Sequence, residues 1–310
     1  MKRHLSCAVV VPSFRRPSDL ARCLRALSTQ HVAADQLIVV LRSGDDDTLA
    51  VVRAAGAQMA ITEVLTDRAG QVAALNAGTA LVRCDIIAIT DDDAAPRPDW
   101  ISGLITHFGD PRVAAVGGRD VVHGAVERRH QVVGRVAWHG RITGNHHRGI
   151  GPARTVDLLK GANMAFRTEW LRRFGFDERL RGAGAQVHND LRLCLEIRRA
   201  GGRLVYDPAV VVDHYPAARP AGDGRMPATM AALEDEVHNE TLALLDFLPP
   251  LRRAAWVLWV VLLGTRRRPG LGVSVWLLPR GRWSAVRTLA ACWRGAMAGA
   301  ASWRAARGTA

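Results

Sequence analysis

The chain has 310 residues, 48% of them hydrophobic and 23% charged, a globular composition long enough for one large domain or two. Its five cysteines, Cys7, Cys23, Cys84, Cys194 and Cys292, are scattered, odd in number and without CxxC spacing, so they read as reduced core residues of a cytosolic protein rather than a disulfide framework. The formal net charge is +13, and Leu251 to Ala310 carries eleven Arg with no Asp or Glu, leaving the first 250 residues nearly neutral.

In chain order, Met1-Lys2-Arg3 superficially resembles the start of a signal peptide, but Pro12 follows almost at once without a cleavage site, and residues 5 to 11 read as a first strand. Pro17 opens a helix with Leu20, Cys23, Leu24 and Leu27 at helical spacing. Leu37 to Leu41 is a strand, Thr48 to Ala55 a helix, Ile61 to Leu65 a strand, Gln71 to Val82 a helix and Ile86 to Thr90 a buried strand. That alternation predicts an α/β fold with a parallel sheet and helices on both faces. No GxGxxG follows the first strand and GxxxxGK[ST] is absent, which argues against a dinucleotide-binding or P-loop enzyme.

Asp91, Asp92 and Asp93 stand where the apolar run from Ile86 stops. Adjacent carboxylates repel unless a cation or hydrogen-bond donors compensate them, and the carboxyl ends of strands are where open α/β sheets bind ligands. A hard divalent cation, Mg²⁺ or Mn²⁺, is one explanation; an acidic turn with Asp capping the helix near Asp99 is the other.

After Val113 to Gly118 a His- and Arg-rich stretch leads to Gly144-Asn145-His146-His147-Arg148-Gly149, expected as a loop or flap over a site. Adjacent His lacks the i, i+4 spacing of a helical metal pair, so His146 and His147 suit a mobile loop better. Regular structure returns over Val156 to Arg167, Leu191 to Arg199 is a helix stopped by Gly201-Gly202, and Leu204 to Tyr206 and Val210 to Val212 are two strands. Pro and Gly thicken from Pro216 to Pro227, which suggests a boundary before a helical tail.

That tail also holds Trp256, Trp259, Trp276, Trp283, Trp293 and Trp303. Arg with Trp suits an anionic membrane interface, and the apolar run Ala254 to Gly264 falls short of the roughly 20 residues a span needs, so it is expected to lie on a leaflet. A nucleic-acid patch would not need that run, and no nucleic-acid partner is expected. Packing of the tail on the rest of the protein, or on another subunit, is the alternative.

The pieces taken together, from about residue 5 to 215, resemble a family 2 glycosyltransferase of the GT-A fold: Val10-Val11-Pro12-Ser13-Phe14-Arg15-Arg16, Gly70 to Gly78 with Asn76, the Asp triplet with Pro96 and Asp99-Trp100, Gly161-Ala162-Asn163-Met164-Ala165-Phe166-Arg167, Asn189-Asp190-Leu191, Arg198-Arg199-Ala200-Gly201, and Tyr206-Asp207-Pro208 leading to His214. The resemblance implies a Rossmann-like, mostly parallel sheet over residues 1–220, with nucleotide-sugar binding in about 1–118 and acceptor binding in about 119–220, followed by a membrane-surface helical tail over 228–310. It implies sugar transfer with inversion from a nucleoside-diphosphate sugar, on the cytoplasmic face of the membrane, to a saccharide or lipid-linked glycan.

By the same resemblance Asp93 and Asp91 ligate Mn²⁺ or Mg²⁺, with His214 a metal or diphosphate ligand or else a structural hydrogen-bonding residue. Pro12, Ser13, Arg15, Arg42, Asp45, Asp46, Gly70, Asn76 and Asp92 surround the donor, although turn chemistry would also account for several of them. Trp100, Gly161, Asn163, His188 and Asn189 are expected near the acceptor. Asp190 matches the family's base, with Asn189 where the family carries Glu; a first-turn residue favoured by the helix dipole is its other reading. A sugar-phosphate nucleotidyltransferase lacks support because residues 12–16 have no glycines, and a phosphohydrolase would carry its Asp on an early strand. A non-catalytic membrane-surface adaptor would explain the tail but not the carboxylates.

Overall fold

The computed structural model describes residues 5–123, 129–216, 229–265, 267–277 and 284–308. Trp283, Arg266, Arg280, Arg282 and the expected boundary beyond Pro216 lie outside the described residues. The chain divides into two compact units: Met1–Arg135 with Thr143–Phe176 and Leu193–Ala218, and Val136–Ile142 with Asp177–Arg192 and Arg219–Ala310.

In the first unit, apolar and largely β-branched runs form β1 (Cys7–Ser13), β2 (Gln36–Arg42) and β4 (Ile86–Ile89), with β3 (Ile61–Thr66) outside β2. β1 and β4 are buried along their whole length, as parallel strands covered on both faces must be. Side-chain alternation divides the work between the faces. Val9, Val11, Val39 and Leu41 pack in one cluster with Leu20, Cys23 and Leu24 of α1 (Pro17–Ser28) and Val52 of α2 (Asp46–Gly56). The alternate residues Val10 and Val40 face α3 (Gln71–Ala80), where Gly78 permits the close approach; a Cβ there would lie 2.7 Å from a methyl of each. Since α1 and α2 cover one face and α3 the other, β1 sits where the strand order reverses, between β2 and β4.

The rest of this unit adds β5 (Ala94–Pro96), α4 (Trp100–His107), β6 (Val113–Val122), β9 (Arg154–Val156), β10 (Met164–Arg167), α5 (Thr168–Phe174) and β11 (Arg203–His214). The sheet runs β3-β2-β1-β4-β10-β6-β11-β5, with β9 also on β11. Pairing is parallel through β1 to β4 and between β6 and β11, but β10 is antiparallel to β4 and β6, and β5 and β9 are antiparallel to β11. The sheet is therefore mixed where the βα alternation ends.

The two strands expected over 204–206 and 210–212 are one strand with an interruption. Asp207 pairs with Gly118 and Val211 with Arg119, so Pro208, Ala209 and Val210 are looped out of the ladder. Pro208 has no N–H to give the ladder, which places the irregularity. Val210 O comes so near Gly118 that a Cβ on residue 118 would lie 1.9 Å from it, and no other residue type fits there.

The His- and Arg-rich stretch is also more ordered than expected. β7 (Arg135–Val136) and β8 (Ile142–Thr143) pair as a ribbon, and a 3₁₀ turn follows at His146–Arg148. His146 is buried instead of carried on a mobile loop: its Nε2 meets Leu158 O at 3.0 Å, its ring stands edge-on to Tyr206 at 5.7 Å, and Tyr206 OH donates to His146 O at 2.8 Å.

The second unit holds α7 (Met230–Phe247), α8 (Pro250–Leu262), α9 (Leu271–Leu277) and α10 (Ser284–Gly308). Thr229 caps α7 by accepting from Ala232 N. Leu233 and Val237 of α7 pack on Ala291 and Cys292 of α10. Gly295 and Gly299, four apart on α10, bring it against the α7 backbone; a Cβ at either would lie 2.5–2.6 Å from Glu234 O or His238 O. Trp256 of α8 is buried on Gly140 of the ribbon tip, and Arg252 donates to Ala137 O and Trp138 O. No described helix is long and apolar enough to cross a membrane.

Burial lowers the His146 pKa to about 4 from an ordinary 6.5. The unfolded chain binds this proton below about 6.5 and the folded one only below about 4, so this stability is present above pH 6.5 and is lost as the pH falls toward 4. The loss amounts to about 3 kcal/mol for a shift of this size. His146→Gln is expected to flatten the pH dependence of urea unfolding between pH 4 and 6.5 relative to the unaltered protein.

Candidate functional site

β4 ends at Ile89, and Thr90 anchors the turn by donating to Ala162 O at 3.0 Å. All three carboxylates that follow are buried. Ser13 Oγ donates to Asp92 at 2.7 Å and Arg16 Nη1 lies 3.1 Å from its other oxygen, 3.9 Å from Asp93. Gln71 donates to Asp91 at 3.2 Å. These donors do not neutralise the cluster. Burial, with Asp93 and Asp91 adding to it, raises the Asp92 pKa to about 7 against the opposing pull of Arg16 and Ser13.

His214, the last residue of β11, completes the group. The three looped-out residues set His214 opposite Val122, three registers short of where an unbroken ladder would put it, and there its Nε2 lies 3.0 Å from Asp93, while Tyr215 N donates to Asp93 O at 2.8 Å. Among the described residues, ligand atoms of Asp91, Asp93 and His214 lie within 4.8 Å of one another. Bonds of about 2.0–2.6 Å to a divalent cation are within reach of such a triad after small side-chain rotations. Two carboxylates and an imidazole converging in a buried, acid-rich pocket therefore fit a divalent metal.

Behind His214 stands a residue that the sequence reading passed over. Asp120 Oδ2 lies 3.7 Å from His214 Nδ1 and is in contact with the Lys160 ammonium. Burial alone would raise the Asp120 pKa, but Lys160 and His214 outweigh it and hold the carboxylate well below its usual range. For His214 burial would lower the pKa, and the nearby carboxylates of Asp120 and Asp93 reverse the sign. Asp120 thus orients the imidazole with Nε2 toward the pocket, the arrangement in which metal-binding histidines are held by a carboxylate. Two signals were present: a charged residue inside the apolar strand Val113 to Val122, and one of only two lysines in the sequence at 160.

Trp100 and Asn163, expected at the acceptor, are both 1% exposed and bonded together, Trp100 Nε1 donating to Asn163 Oδ1 at 2.8 Å. Asn163 Nδ2 donates to Val210 O at 3.1 Å and Arg119 O at 3.3 Å, which spans the interruption in β11. Gly161 lies in the turn between Lys160 and Asn163.

Around the ends of β1 and β2, Pro12 is buried in its strand and Arg15 N donates to Asp45 at 2.5 Å. Asp45 also accepts from Thr48, while Asp46 is exposed in the first turn of α2. Arg15 and Arg42 both lie against the exposed Phe14 ring, 5.1 and 5.5 Å from its centre. Phe14 lies within the turn from Pro12 to Arg15 that is expected to surround the nucleotide. Gly70 caps α3 with φ 101°, a conformation open to glycine. Asn76 exchanges two 2.9 Å hydrogen bonds with the Phe176 backbone.

The second unit carries the remaining candidates. Asp190 lies in the first turn of α6 (Asn189–Arg199) and accepts from Leu191 N at 2.7 Å. Asn189 donates to Ala185 O and Gln186 O. His188 Nε2 lies 3.1 Å from Arg268 and 3.4 Å from Glu240. Burial, then Arg268 and Arg267, lowers its pKa well below the usual value, so it is a neutral acceptor for Arg268.

Residues 4–226 match the family described as "Glycosyltransferase like family 2". The chain is 33% identical over 218 residues to a pre-mycofactocin glycosyltransferase of Mycobacterium tuberculosis, covering 68% of this chain and 43% of that protein. It is 29% identical over 144 residues to a glucosyl-dolichyl phosphate glucuronosyltransferase of Haloferax volcanii, covering 44% of this chain and 45% of the other. The chain thus spans less than half the length of these curated relatives. Among solved structures it is similar to the mannosyltransferase PcManGT from Pyrobaculum calidifontis in complex with GDP-Man and Mn²⁺, with a TM-score of 0.58 and 19% identity over 97% of this chain and 87% of that one. It is also similar to GalNAc-T7 with UDP, GalNAc and Mn²⁺, with a TM-score of 0.62 and 13% identity over 77% and 48% of the two chains.

Calorimetric titration with Mn²⁺ is expected to show Asp93→Asn and His214→Gln each weakening binding at least tenfold, with Asp46→Asn, on the exposed start of α2, unchanged.

Proposed function

The chain belongs to the glycosyltransferase-like family 2, and on that premise we propose that it moves a sugar from a nucleoside-diphosphate sugar to an acceptor hydroxyl with inversion at the anomeric carbon. The observation that carries this reading is the convergence of Asp91, Asp93 and His214 beside the strand-order reversal at β1. Bound by these three residues, Mn²⁺, or Mg²⁺ in its place, would neutralise the charge that grows on the departing diphosphate. Mn²⁺ suits the mixed imidazole and carboxylate donors better.

Ser13 and Arg16 hold Asp92, whose oxygens are thereby directed within the cluster. Phe14, backed by Arg15 and Arg42, offers an exposed aromatic face beside β1 and β2 for a nucleobase. In the transfer step the acceptor oxygen bonds to the anomeric carbon as the bond from that carbon to the diphosphate oxygen breaks. Asp190 takes the acceptor proton, a role supported by its match to the family motif.

A lipid-linked glycan is the proposed acceptor, presented at the inner face of the membrane. One relative is named for a glucosyl-dolichyl phosphate, itself a lipid-linked sugar. On α8, Leu251, Ala254, Leu258 and Leu262 recur at helical spacing and are exposed, and Leu271 and Val275 do the same on α9. Exposed apolar side chains on two neighbouring helices match the apolar face that a helix lays into a membrane interface.

Thermal unfolding across a panel of nucleotide sugars is expected to show stabilisation by at least one donor class that depends on Mn²⁺. With that donor, Asp190→Asn should lower transfer at least a hundredfold while leaving Mn²⁺-dependent nucleotide binding unchanged; undiminished transfer would remove Asp190 as the base. Flotation with phosphatidylglycerol vesicles should recover the unaltered protein, whereas Leu258→Glu with Leu262→Glu should remain at the bottom of the gradient. Equal flotation of both would sink the proposed membrane face.

A further inference from the structure

The segment that leads to Asp190 is held in an unfavourable backbone conformation by α7. Gln186 and His188, neither of them glycine, have φ of 41° and 77°, in the left-handed region that side chains avoid. Such residues persist only where their surroundings over-determine them. Here the surroundings belong to the C-terminal helices. Asn239, in the middle of α7 and fully buried, accepts from Arg181 N at 2.8 Å and donates to Arg181 O at 2.9 Å and Val187 O at 3.0 Å. One side chain thus closes the loop from 181 to 187 at both ends.

Two further contacts fix the same segment. Arg192 meets Asp246, near the end of α7, at 3.0 Å and Asp177 at 3.2 Å. Arg268, from the α8 to α9 connection, reaches His188 at 3.1 Å while in contact with Glu236 and Glu240 of α7. Asn239 is itself oriented. Its Oδ1 lies 2.9 Å from His238 Nδ1, and His238 Nε2 lies 2.9 Å from Ser302 Oγ of α10. Because that amide oxygen can only accept, His238 carries its proton on Nδ1 and accepts from Ser302, which ties α10 to the loop through two side chains.

We propose that α7, with α10 and Arg268 behind it, positions the acceptor-activating carboxylate: Asn239 and His188 are positioning residues that hold the turn from Gln186 to Asp190 in its strained form so that Asp190 is presented in one orientation. This rests on Asp190 being the base. The residues that bind the donor in the reading above stand in the other unit, so the brace acts on turnover and leaves nucleotide affinity alone.

The test compares the unaltered chain with Asn239→Ala, His188→Ala, Asp190→Asn and the Asn239→Ala/Asp190→Asn pair. Three quantities are read: hydrogen exchange over residues 181–192, kcat for acceptor-free hydrolysis of the nucleotide sugar giving the largest Mn²⁺-dependent thermal shift, and the Kd of its nucleoside diphosphate with Mn²⁺. Asn239→Ala and His188→Ala are expected to speed exchange in that segment at least tenfold, lower kcat tenfold or more, and leave Kd within twofold. Asn239→Ala should add less than twofold to Asp190→Asn, because both act through one carboxylate. Full turnover in Asp190→Asn would overturn the base assignment on which the proposal rests. A dead Asp190→Asn beside a folded His188→Ala or Asn239→Ala with kcat within twofold of the unaltered chain would overturn the brace itself. Loss of nucleotide binding in step with kcat would reduce it to general destabilisation, and His188→Ala answers the question should Asn239→Ala not fold.

Discussion

Three buried carboxylates in a row at the end of β4 set the electrostatic condition that the surrounding elements answer. Burial penalises each charge and adjacency adds repulsion, which together push the Asp92 pKa up to about 7. The compensating groups come from four directions: Ser13 from the end of β1, Arg16 from the entry to α1, Gln71 from the first turn of α3 and His214 from the end of β11. None of these elements is adjacent to the triplet in sequence. The site is thus the product of the sheet order, and the looped-out residues after Asp207 are what deliver the most distant member.

The first half of the fold is legible in sequence because each strand there is covered on both faces and each helix on one. Runs such as Val9 to Val11 and the spacing of Leu20, Cys23, Leu24 and Leu27 therefore carry the assignment directly. The second half is not legible in the same way. β10 runs antiparallel between β4 and β6, a choice made by partners far away in the chain, such as Gly117 and Ile89 for Met164, and by no local period. Pro208 reads as a strand break when the chain in fact continues, because a proline marks an interrupted ladder as well as an end. Of the candidate site, Asp91, Asp93 and His214, which the fold brings together, were readable from residue type and motif. Asp120 and Lys160 showed only as an acid in an apolar run and a rare lysine, and their part emerges from contacts, Asp120 beside His214 and Lys160 on Asp120. Asn163 and Trp100 illustrate the converse: motif residues whose hydrogen bonds go into the frame.

The tail likewise changes character once its contacts are known. Counting charges by stretch isolates eleven Arg without acid. Yet Glu234, Glu236 and Glu240 of α7 accept Arg294, Arg267 and Arg268, so part of that charge is balanced by the helix just before it. The basic character available to a lipid surface is correspondingly smaller than the count suggests. What the exposed faces of α8 and α9 retain is mostly apolar surface.

The glycine pair on α10 bears on the order in which this protein is made. Gly295 and Gly299 lay α10 against the backbone of α7, and Ser302 follows within the same helix to reach His238. On a ribosome the residues of the first unit emerge long before residue 302, and domains fold as their residues become available. The sheet and its acidic cluster therefore form on a chain whose α7 still lacks its neighbour, and the layer from Ser302 through His238 to Asn239 closes only once residue 302 has emerged. A nascent chain would in this way bring Asp91, Asp93 and His214 together before it could hold the turn at Gln186 and His188.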